Sequence, residues 1–399
     1  MTYGQEVYGQ THKNKTKRLD QIQAASLRCL TGANKATRWA TLQVATKIEP
    51  LHLRRKKARL NYWTRTKINP TNPAKEVYRN PITQTSSAKI RNLSPARTSA
   101  AWQTFKDLQD INIKEIDIIS RTPTIPPWTL QPINTDICLS TTLEKKADTS
   151  EKLRTTALEH IENIYPNHLK IYTDGSKKED AVSIGIHSKD LNIEISKRIT
   201  NNSSITTAEL IAIREGLQEV KNKGSNQGNI VILSDSLSAT TSLRNLEEKH
   251  SRPDITEEIT HIAQELKEQR QIEITMCWIP SHCDIKGNEM ADQRAKEGLE
   301  NENIINTKLG KKEIQSIING KIKEEWQEEW DKCKSTQFYK IFPTIGSVKI
   351  KFTEDDTIIN RARFGSLLKK DTKLKCEFCG IQPLRLEHIS WKTEKNTQE

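Results

Sequence analysis

Short runs of apolar or alternating residues after His168 predict five β-strands. Residues that favour turns, such as Lys189-Asp190, separate the runs. Runs of this length with period-two or continuous apolar character are typical of half-buried and fully buried strands. The predicted strands are Leu169–Asp174, Ala181–His187, Ile193–Ile199, Asn229–Ser234 and Ile272–Ile279.

Segments with helical periodicity lie between and after these strands. In the run that Gly224 ends, Leu210, Ile213 and Leu217 lie on one stripe, as in an amphipathic helix packed on a core. The order β-β-β-α-β-α-α-β-α predicts an α/β fold, with a five-stranded mixed sheet flanked by helices. The predicted helices are Thr206–Lys223, Ser236–Leu246, Ile255–Gln269 and Asn288–Leu299.

Composition divides the rest of the chain into three parts. Residues 1–66 have apolar residues at helical spacing and many Lys and Arg, which predicts a helical basic N-terminal region. Residues 67–165 begin with a stretch rich in Pro, Asn, Thr and Ser, which predicts a linker. We therefore expect the α/β domain at residues 166–301 and a mostly helical tail at 302–399.

Positive charge is concentrated near the N-terminus. The first 100 residues contain 20 Lys and Arg against four Asp and Glu, a net charge of +16, while the whole chain has +12. A basic arm on a nearly neutral body favours contact with a polyanion such as a nucleic acid. The alternative is a solvated leader or a fragment of a larger basic protein.

Composition also excludes some classes of protein. No apolar run approaches the roughly 18 residues that a membrane span needs, and the N-terminal residues contain no apolar signal core. Seven cysteines, mostly single, favour a reducing compartment over a disulfide framework. We expect an intracellular monomer, with no membrane and no obvious protein partner.

Four carboxylates lie where a metal-dependent nuclease would place its ligands. Asp174 and Asp235 end predicted strands, while Glu209 and Asp292 lie near the starts of predicted helices. Neighbouring strand ends lie within a few ångströms of one another, and hard divalent ions prefer oxygen ligands. Two such ions about 4 Å apart can bind both the attacking water and the leaving oxygen of a phosphodiester.

Each carboxylate also has an ordinary structural explanation. Glu209 fits a capping box with Thr206, and Asp235 fits an N-cap. Asp174 precedes a glycine, as in many turns, and Asp292 fits a solvent-facing helix position. The metal site requires all four to come together.

The blocks around these residues resemble type 1 ribonuclease H. A further block contains His282, ten residues before Asp292, as in the family's catalytic loop. Together the blocks span about 125 residues in the family's order. They are Tyr172–Ser176, Thr206–Leu210, Leu233–Ser236, Trp278–His282 and Asn288–Asp292.

The resemblance implies endonucleolytic hydrolysis of the RNA strand of an RNA/DNA hybrid, with two Mg²⁺ or Mn²⁺ ions. By that analogy, Asp174 bridges the two ions, Glu209 and Asp235 bind one, and Asp292 binds the other. His282 then assists proton transfer or product release. The expected contacts with nucleic acid are Ser176, Lys177, Lys178 and Asn288.

The loop after His282 departs from the family pattern. Asp284 stands where the family usually has glycine, a residue that adopts positive φ more easily. We expect reduced turnover from this change, with metal binding retained. The alternative function is a catalytically impaired module that binds nucleic acid.

Both flanks resemble polyproteins of jockey-like non-LTR retrotransposons. Residues 15–65 are similar to the segment after the polymerase palm, but no polymerase motif is present, so reverse transcription is not expected. Cys376, Cys379 and His388 resemble a C-terminal zinc knuckle. Thr393 stands near the place of the fourth ligand, and three ligands make a poor closed zinc site.

Overall fold

The structure, a computed structural model, describes residues 13–79, 100–111, 116–119, 129–143, 148–223, 228–245 and 252–348. The chain divides into two compact units. Unit 1 takes its described residues from 1–66, 73–114 and 316–399, and unit 2 takes its residues from 67–72 and 115–315. The predicted zinc ligands Cys376, Cys379 and His388 lie outside the described residues.

The helices of the described residues are numbered in chain order. The first five are α1 (Lys13–Thr31), α2 (Trp39–Thr46), α3 (Leu51–Ile68), α4 (Ala74–Arg79) and α5 (Ala100–Asp110). The next four are α6 (Cys138–Thr142), α7 (Ser150–Ile164), α8 (Ile205–Lys223) and α9 (Leu237–Arg244). The last four are α10 (Pro253–Arg270), α11 (Lys286–Gly298), α12 (Lys311–Asp331) and α13 (Gln337–Ile341).

The strands of unit 2 form one mixed sheet in the order β1-β6-β5-β2-β3-β4-β7. The β2–β3 and β3–β4 pairs are antiparallel, and the other pairs are parallel. The strands are β1 (Asn134–Asp136), β2 (Leu169–Lys178), β3 (Ala181–Ser188), β4 (Ile193–Ile199), β5 (Ile230–Ser234), β6 (Ile274–Trp278) and β7 (Ile304–Ile305).

The five predicted strands are confirmed, and so is the ribonuclease H-like arrangement of a mixed sheet flanked by helices. Two corrections apply to the sheet. It has seven strands rather than five, because the short β1 and β7 add parallel pairing at its two edges. In addition, β2 continues to Lys178, so Asp174-Gly175 is not a turn and Asp174 pairs with Gly185 of β3.

Apolar side chains cover both faces of the sheet. All five residues of β5 are buried, and its alternate side chains enter two separate clusters. Ile230 and Ile232 face the cluster that includes α8 and α10, whereas Val231 and Leu233 face the one that includes α7. Two-sided burial explains why this strand is a continuous apolar run in the sequence.

The predicted linker, residues 67–165, contains structure that the sheet needs. Helix α7 buries Leu153, Ala157 and Ile161, at i, i+4 and i+8, on the face of the sheet formed by β5 and β6. Without that cover, Val231 and Leu233 would face water. The linker interpretation is therefore corrected for residues 129–143 and 148–165, which pack in the same compact unit as the predicted α/β domain.

Unit 1 is helical, as predicted for the N-terminal region, and it pairs much of its own charge. The Nζ atom of Lys56 lies 2.6 Å from Glu325, and that of Lys57 lies 3.0 Å from Glu49. These ion pairs leave less of the basic cluster on α3 for a nucleic acid than the sequence suggests. Among the helices of the described residues, none has the length and apolar character of a membrane span.

Candidate metal-dependent active site

Three of the predicted carboxylates converge beside the sheet. The parallel register of β2 and β5 ends at Thr173 opposite Ser234, so the next residues, Asp174 and Asp235, are neighbours. Glu209 of α8 reaches the same place. One carboxylate oxygen from each of Asp174, Glu209 and Asp235 lies within 4.8 Å of the others.

Asp292 joins this group because α11 packs very close to β3. A Cβ atom on Gly185 would lie 2.0 Å from the Ala291 carbonyl oxygen and 2.3 Å from the Ala295 nitrogen. Only glycine permits that approach. The Asp292 carboxyl group then lies close enough to Asp174 to form a hydrogen bond with it.

The hydrogen bonds at the start of α8 show whether Glu209 belongs to a capping box with Thr206. The hydroxyl group of Ser204, not that of Thr206, accepts a hydrogen bond from the amide at the third helical position, that of Thr207. Glu209 is one turn further along and 5% exposed. The capping-box interpretation is therefore wrong, since Ser204 rather than Thr206 caps the helix.

Gly175 allows β2 to approach this helix. A Cβ atom there would lie 2.9 Å from the Ala208 side chain and 3.2 Å from the Glu209 nitrogen. The Gly175 amide donates hydrogen bonds that lower the pKa of both Asp174 and Glu209. The glycine beside Asp174 therefore serves the site rather than a turn.

The N-cap interpretation of Asp235 is also wrong. Ser236 caps α9, accepting a hydrogen bond from the Ala239 amide at 3.4 Å. The indole nitrogen of Trp278, at the end of β6, donates to the backbone oxygen of Asp235 at 3.0 Å. The backbone of Asp235 is thus held in place by the neighbouring strand β6.

Burial and mutual repulsion raise the pKa values of the inner carboxyl groups. Burial is the larger cause for Asp174, followed by the charges of Asp235 and Asp292, and together they raise its pKa to about 8. Burial, then the charges of Asp174 and Asp235, raises the pKa of Glu209 well above its usual value. Like charges at close range disfavour ionisation in this way.

The cluster fits a bound divalent cation. The Oε2 atom of Glu209 is buried and has no hydrogen-bond partner among the described residues. An unpaired carboxylate oxygen in a group of repelling acids is costly unless a cation lies beside it. Lys296 provides only partial compensation at the rim, 2.6 Å from Asp292 and with 62% of its side chain exposed.

His282 lies in the loop between β6 and α11. Buried Cys283 and Ile285 anchor this loop, whereas His282 and Asp284 are exposed. Both exposed residues have positive φ, 55° for His282 and 57° for Asp284. The left-handed conformation expected at position 284 is therefore present, with aspartate where the family usually has glycine.

The predicted nucleic-acid contacts differ in their environments. Ser176 is half-buried, and Lys178 is exposed. Lys177 donates from Nζ to the backbone oxygen of Ser203 at 2.9 Å. Asn288 is 4% exposed, and its Oδ1 atom has no hydrogen-bond partner among the described residues.

Sequence reasoning missed an ion pair that holds the start of α8. Glu313 accepts hydrogen bonds from the Ser204 amide at 2.6 Å and the Thr207 hydroxyl group at 2.7 Å. Its other oxygen lies 3.5 Å from Arg252, and both side chains are buried. In the sequence, Glu313 is one acidic residue among many in a polar helix, so no local pattern distinguishes it.

A comparison with known families matches residues 166–300 to the RNase H family. No curated protein matches the chain. Among solved structures, a compost-derived LC11-RNase H1 is 20% identical, with 33% of this chain and 99% of that chain covered and a TM-score of 0.26. RNase H1 of Halobacterium salinarum is 21% identical, with 33% and 97% covered and a TM-score of 0.25.

A foamy viral protease-reverse transcriptase in complex with an RNA/DNA hybrid is 15% identical. Its alignment covers 55% of this chain and 28% of that chain, with a TM-score of 0.26. The family match coincides with strands β2 to β6 and with all four clustered carboxylates. Residues 166–300 are therefore an RNase H domain.

Proposed function

We propose that this domain is an endonuclease that hydrolyses the RNA strand of RNA/DNA hybrids with two Mg²⁺ or Mn²⁺ ions. The observation that carries the proposal is the convergence of Asp174, Glu209 and Asp235 from three separate elements within 4.8 Å, inside a matched RNase H domain. A binding module has no need of buried, mutually repelling acids.

The acidic side chains would hold the ions. Asp174 is central, because both Asp235 and Asp292 act on its charge, and Glu209 contributes an unpaired buried oxygen. Bound ions supply an activated water and stabilise the leaving oxygen. In our proposal His282, exposed on its loop, exchanges a proton with solvent during product departure.

Recognition of the hybrid would involve residues beside the acids. Ser176 and Lys178 follow Asp174 on β2, and Asn288 lies in the first turn of α11 with an unpaired oxygen. The RNA 2′-hydroxyl group distinguishes RNA from DNA at such a site. We propose that Glu209 and these neighbours sense it.

The test uses the full chain with an end-labelled RNA/DNA hybrid, with and without Mg²⁺. Asp174→Asn keeps the shape of the side chain and removes its charge. Asp180→Asn is the matched control, since Asp180 is exposed in the turn between β2 and β3. We expect Mg²⁺-dependent RNA cleavage by the parent and the control, and a loss of about 10³-fold or more in Asp174→Asn.

Equal cleavage by the parent and Asp174→Asn would reject the proposal and indicate a contaminating nuclease. Hybrid binding without cleavage in either protein would instead favour the impaired binding module, for which exposed Asp284 at φ 57° is the structural reason.

We also propose that the domain derives from a non-LTR retrotransposon polyprotein. The support is the set of resemblances in the sequence, namely the RNase H blocks and the segments at 15–65 and 376–388.

A further inference from the structure

A second cluster of potential metal ligands lies at the β1 edge of the sheet. Strand β1 pairs with β6 so that Asp136 is opposite Cys277. His160 of α7 lies over the same position. One ligand atom from each of these three residues lies within 4.8 Å of the others.

The carboxylate of Asp136 is the centre of the cluster. Its Oδ2 atom lies 2.6 Å from Nε2 of His160, 2.8 Å from the hydroxyl group of Tyr165 and 3.9 Å from Sγ of Cys277. Cys277 is fully buried, and the side chains of His160 and Asp136 are only 19% and 13% exposed. The cluster is thus largely shielded from water.

Cys138 supplies a second sulfur. Its backbone amide donates to Oδ1 of Asp136 at 3.0 Å. Its thiol lies beside the same carboxylate, and the hydrogen bond to Asp136, followed by that group's charge, raises the pKa of the thiol. Cys138 is exposed, so an ion can reach the cluster from its side.

Two thiols, one imidazole and one carboxylate are more than a hydrogen-bonded strand edge requires. His160 and Tyr165 already lie within hydrogen-bond distance of Oδ2 of Asp136, at 2.6 and 2.8 Å, whereas Sγ of Cys277 lies further away at 3.9 Å. Sulfur and nitrogen donors suit a borderline-soft ion with tetrahedral preference, in contrast to the oxygen-only cluster around Asp174.

We propose that Cys138, Cys277, His160 and Asp136 bind one Zn²⁺ ion, which fastens β1 and α7 to β6. Tyr165 remains a partner that orients the Asp136 carboxylate, as such outer groups do at metal sites. The site is independent of the nuclease proposal and of the predicted zinc ligands at 376–388. Three of its four ligands come from residues 129–165, which the family match does not include.

The experiment uses the full chain carrying Cys376→Ser and Cys379→Ser, so that the C-terminal residues cannot supply thiolates. The protein is dialysed against Zn²⁺ and then against metal-free buffer, and zinc per chain is measured. Cobalt substitution gives a second readout, because thiolate ligands produce charge-transfer absorption. We expect one zinc per chain and a cobalt spectrum with two thiolates.

Cys138→Ser tests the site without disturbing the core, because Cys138 is exposed. We expect it to weaken zinc binding about tenfold or more and to reduce the cobalt charge-transfer absorption by about half. Cys277→Ser and His160→Gln should remove stoichiometric zinc. Cys333→Ser, in the helical unit 1, is the matched control and should bind zinc like its parent.

Absence of zinc in the parent after dialysis would overturn the proposal. Zinc retained at one per chain in a folded Cys138→Ser/Cys277→Ser protein would overturn it as well, since both sulfur ligands would then be dispensable. Circular dichroism of each variant separates loss of the ion from loss of the fold.

Discussion

A buried ion pair of unit 1 and the acidic cluster of unit 2 treat buried charge in opposite ways. In unit 1, Arg59 and Asp107 are 7% and 3% exposed and lie 2.7 Å apart. In unit 2, Asp174 and Glu209 are equally buried, yet the charges that shift their pKa values most belong to other carboxylates. The ion pair compensates its own charge, whereas the acidic cluster leaves its charge for a bound ion to compensate.

This difference separates charge that maintains the fold from charge that serves chemistry. Breaking a buried ion pair is costly because one charge loses its partner. Removing one acid from a cluster of like charges reduces the repulsion among the remaining acids, but it also removes a candidate metal ligand. Replacing a charged residue by its amide should therefore destabilise the protein at an ion pair and stabilise the metal-free protein at the acidic cluster.

Among substitutions that leave the acids themselves unchanged, the largest expected effect on cleavage comes from Gly185→Val, which disrupts the packing that brings Asp292 to the cluster. The added side chain would meet the backbone of α11 at about the 2.0 Å calculated for a Cβ atom. We expect a loss of stability of about 3 kcal/mol or more and a fall in hybrid cleavage of at least about 100-fold. Thermal unfolding and single-turnover cleavage measure these effects.

Gly320→Ala is the control for that change. Gly320 lies within α12, and nothing lies within 4 Å of an added Cβ atom there. The free energy of unfolding of this variant should rise by about 0.5–1 kcal/mol, and its cleavage rate should equal that of the parent. A Gly185→Val protein with normal activity would show that the close approach of α11 is not needed to place Asp292.

Next in size are two variants that break buried ion pairs, Asp107→Asn and Glu313→Gln. Asp107→Asn leaves buried Arg59 without this charge partner and should cost about 3–5 kcal/mol. Glu313→Gln leaves Arg252 its closer ion pair with Asp254 at 2.8 Å, so it should cost less, about 1–3 kcal/mol, mainly from the hydrogen bonds that Glu313 accepts. Asp107→Asn should leave kcat at its normal value below the unfolding temperature. Glu313→Gln should also lower kcat, with little change in KM, because Glu313 holds the first turn of the helix that carries Glu209.

If both variants changed only stability, Glu313 would be a structural residue without a positioning role. Glu313→Asp, which keeps the charge, should recover part of the lost kcat if the positioning role is correct.

A smaller effect concerns pH in the metal-free protein. The pKa of Asp174 is raised to about 8 from an ordinary value of 3.8, so the folded state binds its proton more tightly than the unfolded state. This contribution to stability is complete below pH about 4 and is lost as pH rises to about 8 and above. The Asp174→Asn variant has no carboxyl group at this position, so its stability does not fall with pH for this reason.

We therefore expect Asp174→Asn to be more stable than its parent at pH 8.5 in EDTA, by about 1–3 kcal/mol, and nearly equal near pH 4. Thermal unfolding across this range measures the difference, with Asp180→Asn as the control that follows the parent. A constant difference at all pH values would show that the repulsion is absent. Adding Mg²⁺ should stabilise the parent more than the variant.

The smallest expected effect is that of Asp284→Gly. Position 284 has φ 57°, which glycine adopts at no steric cost, and the change also removes a carboxylate two residues from His282. We expect turnover on a hybrid to rise by about two- to tenfold, a barrier change of about 0.4–1.4 kcal/mol. Flat or reduced turnover would mean that Asp284 does not limit the rate.

Most of the nuclease fold could be predicted from the sequence, because its strands and helices have strong local patterns. Strand β4 has the predicted bounds, and α8 differs from its prediction by one residue. The acids could be found because strand ends and helix starts place side chains in known directions. Strand β1 and helix α7 were missed, since their short or polar segments show no pattern until the sheet face that they cover is known.

The sequence by itself determined the order of the main elements from β2 to α11, the four acids as candidate ligands, and the aspartate at position 284 where the family usually has glycine. Tertiary structure decided that Ser204 rather than Thr206 caps α8, that α11 packs against Gly185, and that Asp136, His160 and Cys277 lie together. The physical reason is range. Periodicity and capping act between residues a few positions apart, whereas these contacts join residues separated by up to 141 positions, as Asp136 and Cys277 are.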